Sequence, residues 1–313
     1  MEKSIELTHR RKEEKLAMYE DMQWDNIVFQ FKIALFQCGQ VAMRLKGKVA
    51  RQEKEPDSSI QKSVAFSDVD LICQEIILSA AAEVVPWVEM VSEELKNCPK
   101  DIRALFAGNQ SALVLVVDPL DGTDRYLAGG REYGHMVGLL DSKEGRFAFG
   151  MIYLPKLRSF YWAIRDQGCF RQVGGLRREV ERLKRRVITK DRPCSIRRIK
   201  RITGAGYERL EENSIEVTKP KNRSCAVDAI RVVMAPYGES VFESTQNAAV
   251  LANFHGHDSG IPSVLIEEMG GVALDEQRKR AYYPKDMARL PLVVLAIDPN
   301  HADKIIAARP HRE

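Results

Sequence analysis

The sequence predicts an α/β fold, and three patterns indicate it. Apolar residues recur at helical spacing over residues 24–47, which predicts an amphipathic helix. Residues 112–117 form a short, unbroken apolar run rich in β-branched side chains, as in a buried strand. Between residues 132 and 174, apolar stretches alternate with turn-forming residues, which predicts antiparallel strands joined by hairpins. Helices and strands are therefore expected in one mixed architecture.

The elements before the buried run are expected to be helices separated by a loop. Residues 1–20 are densely charged and predict an exposed or frayed helix, whereas residues 48–66 are polar and predict a mobile loop. A second helix is expected over residues 69–84, and Ser67 or Asp68 is its candidate N-cap because both side chains can accept from free helix amides.

The last third of the chain returns to alternating strands and helices, from about residue 186 to residue 300. The apolar run 292–297 predicts a late buried strand, and a short helix is expected to begin near Asn300.

Composition is that of an ordinary globular protein. Of 313 residues, 44% are hydrophobic and 29% charged, and the net charge of +4 does not imply a polyanionic partner. The six cysteines lack metal or disulfide spacing, which indicates reduced thiols and a cytoplasmic location. The N-terminal segment has no apolar core, so no secretory signal is expected. No run approaches the ~18 apolar residues of a membrane span, so no membrane partner is expected.

Two carboxylates follow the buried run directly. Asp118 and Asp121 are three residues apart, and the Leu120 carbonyl lies between them. Pro119 fixes φ and donates no hydrogen bond, so we expect the chain to turn there instead of extending the strand. Gly122 permits an unusual backbone angle. Hard oxygen ligands of this kind suit magnesium, and a turn that leads into a helix suits phosphate.

Two further acidic clusters fit the same kind of site. Glu93 and Glu94 follow an apolar stretch, and Asp258 begins a helix-like segment that ends at Gly270-Gly271. Taken alone, each is typical of a solvated face or a helix cap. Together with the preceding turn they supply the several carboxylates, from different elements, that a two-metal site needs.

These motifs resemble the inositol monophosphatase family, a group of lithium-sensitive, magnesium-dependent phosphatases that also includes fructose-bisphosphatases and bisphosphate nucleotidases. The resemblance covers about residues 30–300. It implies a layered α/β sandwich with alternating αβαβα layers. It also implies an N-terminal α+β domain at residues 1–184 that carries the metal-binding turn. A C-terminal α/β domain at residues 185–313 would carry the last metal ligand and the substrate contacts. The motifs that carry the likeness are Ser67-Asp68-Val69-Asp70-Leu71, Glu93-Glu94, Asp118-Pro119-Leu120-Asp121-Gly122-Thr123, and Asp258 with Gly270-Gly271.

The resemblance implies two or three Mg²⁺ ions per site. Glu93, Asp118 and the Leu120 carbonyl would hold the first ion, and Asp118, Asp121 and Asp258 the second. A third, weaker ion near Glu93 and Asp70 is common in the family.

The resemblance also implies catalytic roles. Asp70 and Thr123 would orient the attacking water, with Glu93 beside them, and Asp68 is the competitor for the role of Asp70. The amides of Gly122 and Thr123 would hold the phosphate.

Three residues are implied as substrate contacts, namely Ala226, Glu243 and Asp258. Glu243 corresponds to an acidic acceptor for a sugar hydroxyl. The chain departs from the family pattern around this pocket: His257 replaces a tryptophan, Arg125 replaces an asparagine, and the span from Glu243 to Asp258 is longer. These departures leave the identity of the substrate open.

His255 and His257 are two residues apart, which places both on one face of an extended segment. Magnesium prefers oxygen ligands, so polar packing or substrate contact is expected of them rather than metal binding.

The expected function is therefore Mg²⁺-dependent hydrolysis of a small phosphorylated metabolite, most simply inositol monophosphate, by two-metal activation of water. Fructose 1,6-bisphosphate and a 3'(2'),5'-bisphosphate nucleotide are the alternative substrates. Lithium sensitivity and a homodimer are further implications of the resemblance.

The alternative from another class is a non-catalytic protein that binds RNA or a protein through the basic segment, residues 177–201. This segment holds twelve Lys and Arg residues against three acids. It has no aromatic residue for base stacking, so nucleic-acid binding is not expected. Val180 and Leu183 are three residues apart, which predicts a solvated helix over residues 177–186.

Overall fold

The computed structural model describes residues 22–50, 52–53, 65–106, 111–185, 194–197, 208, 212, 215–218, 224–242 and 246–308. The expected helix at residues 1–20 lies outside this part of the chain. The main helices are α1 (Trp24–Leu45), α2 (Asp68–Val84), α3 (Lys100–Ala104), α4 (Thr123–Leu127), α5 (Cys225–Met234), α6 (Gly256–Glu268) and α7 (Pro299–Ala307).

The strands fall into two larger sheets and two short pairs. They are β1 (Gln52–Glu53), β2 (Ala65–Phe66), β3 (Glu89–Ser92), β4 (Leu113–Asp121), β5 (Gly134–Asp141), β6 (Arg146–Leu154), β7 (Ser159–Ile164), β8 (Gly168–Val173), β9 (Glu181–Leu183), β10 (Cys194–Arg197), β11 (Ile215–Thr218), β12 (Ala248–Leu251), β13 (Val272–Leu274) and β14 (Val293–Ala296).

The large sheet has the strand order β3-β4-β5-β6-β7-β8-β9. The first pair, β3 and β4, is parallel, and every following pair is antiparallel. Successive side chains of a strand point to opposite faces. In β4, Leu115 and Val117 accordingly pack into the core under α1 and α2, whereas Val114 and Val116 pack into the core formed with α5 and α6.

The small sheet has the order β12-β14-β13 and lies beyond α5 and α6. Ala249 of β12 and Leu295 of β14 face these two helices, whereas Val250 and Val294 face α7, where Ile305 covers them. The layers are therefore helix pair, large sheet, helix pair, small sheet and helix. This arrangement confirms the layered αβαβα sandwich. The domain boundary at residue 184 stays a prediction.

The helix boundaries follow from local sequence. Ser67 caps α2: its amide and hydroxyl both donate to Asp70 Oδ2, at 2.8 and 2.7 Å, so the chain enters the helix with these donors satisfied. At the end of α6, Gly270 adopts a left-handed backbone with φ of 82°. A residue with a Cβ is strained in this conformation, which explains why the helix stops at the glycine pair.

The structure also bears on the helix expected at residues 177–186 and on the loop expected at residues 48–66. The helix expected over residues 177–186 is wrong: β9 pairs antiparallel with β8 there. Leu183 is buried under the sheet while Val180 is exposed, so strand pairing outweighs the local helical spacing. The expected loop at residues 48–66 contains one antiparallel pair, β1 with β2, and its other residues beyond position 50 lie outside the described residues.

No helix among the described residues has the length and apolar content needed to cross a membrane.

Candidate active site

Carboxylates from four elements meet at one edge of the large sheet. Asp118 and Asp121 lie in the C-terminal half of strand β4, and Glu93 follows the neighbouring strand β3. Asp70 comes from the first turn of α2, and Asp258 from the first turn of α6. The parallel pairing of β3 with β4 carries both strand ends to the same edge, and Glu93 N donates to Val117 O at 3.1 Å.

The turn that carries Asp118 and Asp121 is a bulge within β4. Asp118 pairs with Met136 of β5, and pairing resumes at Asp121 with Gly134, so two residues on β4 face one on β5. The expectation that the strand ends at Pro119 is therefore wrong, because β4 continues to Asp121. A bulge leaves residues unpaired, and Pro119 fits there because no ladder donor is needed from it.

His135, the residue opposite the bulge, anchors it. Its Nδ1 lies 2.5 Å from the Pro119 carbonyl oxygen, and its ring stacks on Tyr153. The side chain is fully buried. The sequence offers no local signal for this contact of His135 with the site. The register of β5 against the motif is the signal that would have found it.

Gly122 closes the bulge and begins α4. Its φ of 83° lies in the left-handed region, and an added Cβ would be 3.0 Å from Ser224 Cβ. Both the backbone angle and the close approach therefore require glycine here.

Asp121 is held by the N-terminus of α5. Its Oδ1 accepts from Cys225 N at 3.0 Å, and its Oδ2 accepts from Ala226 N at 3.0 Å and from the Ser224 hydroxyl. Ala226, expected as a substrate contact, thus uses its amide to position a carboxylate. The N-terminal end of the helix dipole further favours negative charge at Asp121.

Asp70 and Thr123 form a hydrogen-bonded pair. The Thr123 hydroxyl lies 3.0 Å from Asp70 Oδ1 and 2.8 Å from the Leu120 carbonyl oxygen, and it can donate its one proton to only one of them at a time. Asp70 is buried, whereas its competitor Asp68, two residues earlier, is exposed. The geometry therefore places Asp70 in the site.

The carboxylates are in an unfavourable electrostatic environment. Burial raises the pKa of Asp70 to about 6 and the pKa values of Asp121 and Asp258 to about 7, and the charge of a neighbouring carboxylate adds to each. Burial, together with the charges of Glu93, Asp121 and Asp258, raises the pKa of Asp118 well above its usual range. Such an array needs protons or cations to offset its charge.

The donor set fits divalent cations. Asp118 Oδ1 is buried and has no hydrogen-bond partner among the described residues, so it is available to a ligand. Ligand atoms of Glu93, Asp118 and His257 lie within 4.8 Å of one another, and those of Asp121, Cys225 and Asp258 form a second such group. Two adjacent cation positions are therefore compatible with these side chains.

Of the residues that the sequence singled out, Glu243 lies outside the described residues. The others lie at or beside this edge of the sheet: Asp70, Glu93, Asp118, Leu120, Asp121, Gly122, Thr123, Ala226 and Asp258.

Known proteins share parts of this sequence and its fold. A fructose-1,6-bisphosphatase/inositol-1-monophosphatase from Aquifex aeolicus (strain VF5) is 30% identical over 150 residues, which are 48% of this chain and 51% of the relative. The match thus spans about half the length of that curated relative.

Two solved structures resemble the whole fold. The Thermotoga maritima IMPase TM1415 has a TM-score of 0.64 at 18% identity and covers 91% of this chain and 96% of its own. An IMPase/NADP phosphatase complexed with Mg²⁺ and phosphate has a TM-score of 0.63 at 14% identity, covering 88% of this chain and 94% of its own. At these identities the likeness establishes the fold. The sequence profile of the inositol monophosphatase family, in turn, matches residues 24–312. With this match over nearly its whole length, the chain belongs to the inositol monophosphatase family.

Proposed function

We propose that the protein is a Mg²⁺-dependent phosphomonoesterase that hydrolyses a small phosphorylated metabolite. One observation carries the proposal: Asp118 is buried among Glu93, Asp121 and Asp258, and its Oδ1 has no hydrogen-bond partner in the part of the chain that the structure describes. Uncompensated buried carboxylates are costly, so their convergence implies a cationic ligand. Bound Mg²⁺ neutralises the charge of a phosphate ester and lowers the pKa of a coordinated water.

The protein residues have separable roles in this proposal. Asp118 belongs to the ligand group that contains Glu93, whereas Asp121 belongs to the other group and is oriented by Ser224, Cys225 and Ala226. This fixed geometry holds the negative groups in place before substrate binds, so little reorganisation is needed during the reaction.

Thr123 and Asp70 are proposed to position the attacking water and take its proton. If the Leu120 carbonyl binds a cation, the Thr123 hydroxyl donates its proton to Asp70 Oδ1 instead, at 3.0 Å. The lone pairs of Thr123 Oγ1 then accept from a water. Because Asp70 has a pKa raised to about 6 by burial, it is a stronger base than an ordinary aspartate.

Inositol monophosphate is our first candidate substrate. A bisphosphate substrate would need a second cationic group near the site, and Arg185 of the basic segment lies elsewhere. Arg185 packs against Gly270, at the opposite end of α6 from Asp258. Twelve residues of helix separate those ends by about 18 Å. Fructose 1,6-bisphosphate is the second candidate, because the Aquifex relative carries both activities in its name.

The test is phosphate release from a panel of esters with Mg²⁺, and again with excess EDTA. The panel is inositol 1-phosphate, fructose 1,6-bisphosphate, adenosine 3',5'-bisphosphate and an aryl phosphate. We expect Mg²⁺-dependent turnover that is highest with inositol 1-phosphate. Turnover that persists in EDTA would contradict the metal mechanism, and a higher kcat/KM for either bisphosphate would replace the candidate substrate.

A matched pair of variants separates the site from the fold. Asp118→Asn removes a central ligand. Asp141→Asn changes another buried carboxylate, at the far end of the same sheet, that accepts from Lys143 N at 3.0 Å. An asparagine can accept the same bond. We expect activity to be lost in the first variant and retained in the second.

Three further properties are proposed from the family resemblance: inhibition by millimolar lithium, a homodimeric assembly and a cytoplasmic location. Lithium is tested by adding it to the active Mg²⁺-loaded enzyme, with sodium as the control cation. The assembly is tested by sedimentation.

A further inference from the structure

His257 lies where the structure brings together the ligands of one cation position. A ring nitrogen of His257 is within 4.8 Å of carboxylate oxygens of both Glu93 and Asp118. Its Nε2 is 3.9 Å from Asp258 Oδ2, and its side chain is 6% exposed. The imidazole is thus buried among carboxylates at the site, which is not the environment of a surface histidine.

We propose that His257 is a nitrogen ligand of the cation held by Glu93 and Asp118, and that this position therefore prefers Mn²⁺ or a similar transition-metal ion over Mg²⁺. The inference rests on the proposed function, because it concerns the same site. It differs from the expectation that this histidine serves packing or substrate contact.

The spacing of the donors supports direct ligation. An ion with ligand distances of about 2.1 Å places neighbouring ligand atoms about 3 Å apart and opposite ones about 4.2 Å apart. Three atoms within 4.8 Å of one another need only a small closure to reach these distances. The free oxygen of Asp118 provides the independent sign that a ligand belongs at this point.

The chemistry of the donor then sets the preference. An all-oxygen set suits Mg²⁺, whereas imidazole nitrogen adds affinity for Mn²⁺, Co²⁺ and Zn²⁺. The tryptophan that the family resemblance predicts at this position has only an N–H donor and cannot ligate. The substitution to His257 therefore adds a ligand that the family pattern lacks.

A second histidine, His255, lies beside His257. The two rings stack with 5.3 Å between centroids and an interplanar angle of 5°, and His255 precedes the first turn of α6. His255 belongs to neither group of converging ligand atoms among the described residues. It is therefore a close chemical control for His257.

The experiment measures Mn²⁺ binding to the metal-free protein, with no substrate present. Pulsed electron paramagnetic resonance detects a ¹⁴N nucleus bonded to Mn²⁺, and calorimetry gives the Mn²⁺ and Mg²⁺ affinities. We expect ¹⁴N coupling in the unsubstituted protein and in His255→Gln, and none in His257→Gln. Mn²⁺ affinity should fall at least about tenfold in His257→Gln. Mg²⁺ affinity should fall less.

The outcomes separate this inference from the proposed function. Mn²⁺ binding that Asp118→Asn weakens, but that shows no ¹⁴N coupling, would overturn the His257 assignment and leave the metal-dependent site intact. Coupling lost in His255→Gln instead would also overturn it. If neither Mn²⁺ nor Mg²⁺ binds, or Asp118→Asn does not weaken binding, both proposals fail. The coupling in the unsubstituted protein and in His255→Gln is decisive even if His257→Gln does not fold.

Discussion

At Asp118, the stability of the metal-free protein and the proposed metal binding have conflicting requirements. Its carboxylate is 1% exposed, and burial together with Glu93, Asp121 and Asp258 raises its pKa well above the usual range. Replacing it with a neutral isostere removes this repulsion but also removes a proposed metal ligand. Stability and activity should therefore change in opposite directions.

We predict that Asp118→Asn raises the free energy of unfolding of the metal-free protein at pH 8 by about 1–3 kcal/mol. The same change should lower kcat/KM by about 100-fold or more, because metal stabilisation of the transition state amounts to several kcal/mol. Urea unfolding in EDTA and steady-state kinetics measure the two effects. A variant that is both less stable and inactive would indicate a structural role instead.

Thr123 offers a second test at the scale of one residue. Thr123→Ala removes the hydroxyl that lies 3.0 Å from Asp70, and we predict a loss of about 10²–10⁴ in kcat with little change in KM. Thr123→Ser keeps the hydroxyl and should retain most activity. Kinetics of the two variants decide the matter: equal losses would show that the methyl group, and not proton transfer, is what matters.

At the scale of elements, the β4–β5 bulge determines how the site is presented. It places Asp118 and Asp121 on one edge, and His135 satisfies the carbonyl of Pro119 that the bulge frees from the ladder. The site thus depends on a residue that touches no proposed ligand atom. A change at His135 should act through backbone position.

We predict that His135→Phe, which keeps a ring against Tyr153, destabilises the protein by about 1–3 kcal/mol because the Pro119 carbonyl loses its donor. Mg²⁺ affinity should fall as well, because the bulge no longer holds its ligands. The control is Tyr153→Phe, which removes a buried hydroxyl that has no hydrogen-bond partner within the described ranges and keeps the same stack. Calorimetric Mg²⁺ affinity that is unchanged in His135→Phe would refute a positioning role.

The same bulge shows how far the sequence alone can lead. The apolar run predicted β4, and Ser67 predicted the start of α2, because both signals are local. The register of β5 against β4 is not local, so neither the bulge nor the contact of His135 was predicted. β9 was missed for the same reason: its pairing with β8 decides its conformation, and Leu183 faces the sheet only in that pairing.

At the scale of the whole molecule, the layered fold brings distant segments together at one edge. Asp121 accepts from Cys225 and Ala226, more than 100 residues away along the chain. The resemblance of the motifs singled out the carboxylates, since their spacing is a property of the sequence. Tertiary packing brings the hydrogen-bond donors to these carboxylates and His257 close to Glu93. No single stretch of sequence determines that packing.

Several carboxylates with raised pKa values lie together in the site, so the stability of the whole protein depends on pH. Without metal, Asp121 and Asp258 have pKa values of about 7 in the folded protein, against an ordinary value of 3.8. Between about pH 4 and pH 7 the folded state thus binds more protons than the unfolded state, so these groups lower stability as pH rises through that window. Above it their contribution is constant.

A divalent cation reverses this trend, because it takes the place of the protons. We predict that the stabilisation given by Mg²⁺, measured as the difference in unfolding free energy between Mg²⁺ and EDTA, increases from about pH 5 to about pH 7.5. Taking the difference cancels ionisable groups remote from the site. In Asp121→Asn the increase should be smaller, since one of the titrating ligands is gone. A stabilisation by Mg²⁺ that is independent of pH would mean that the buried carboxylates do not release protons to bind it, and the cation site would have to be sought elsewhere in the chain.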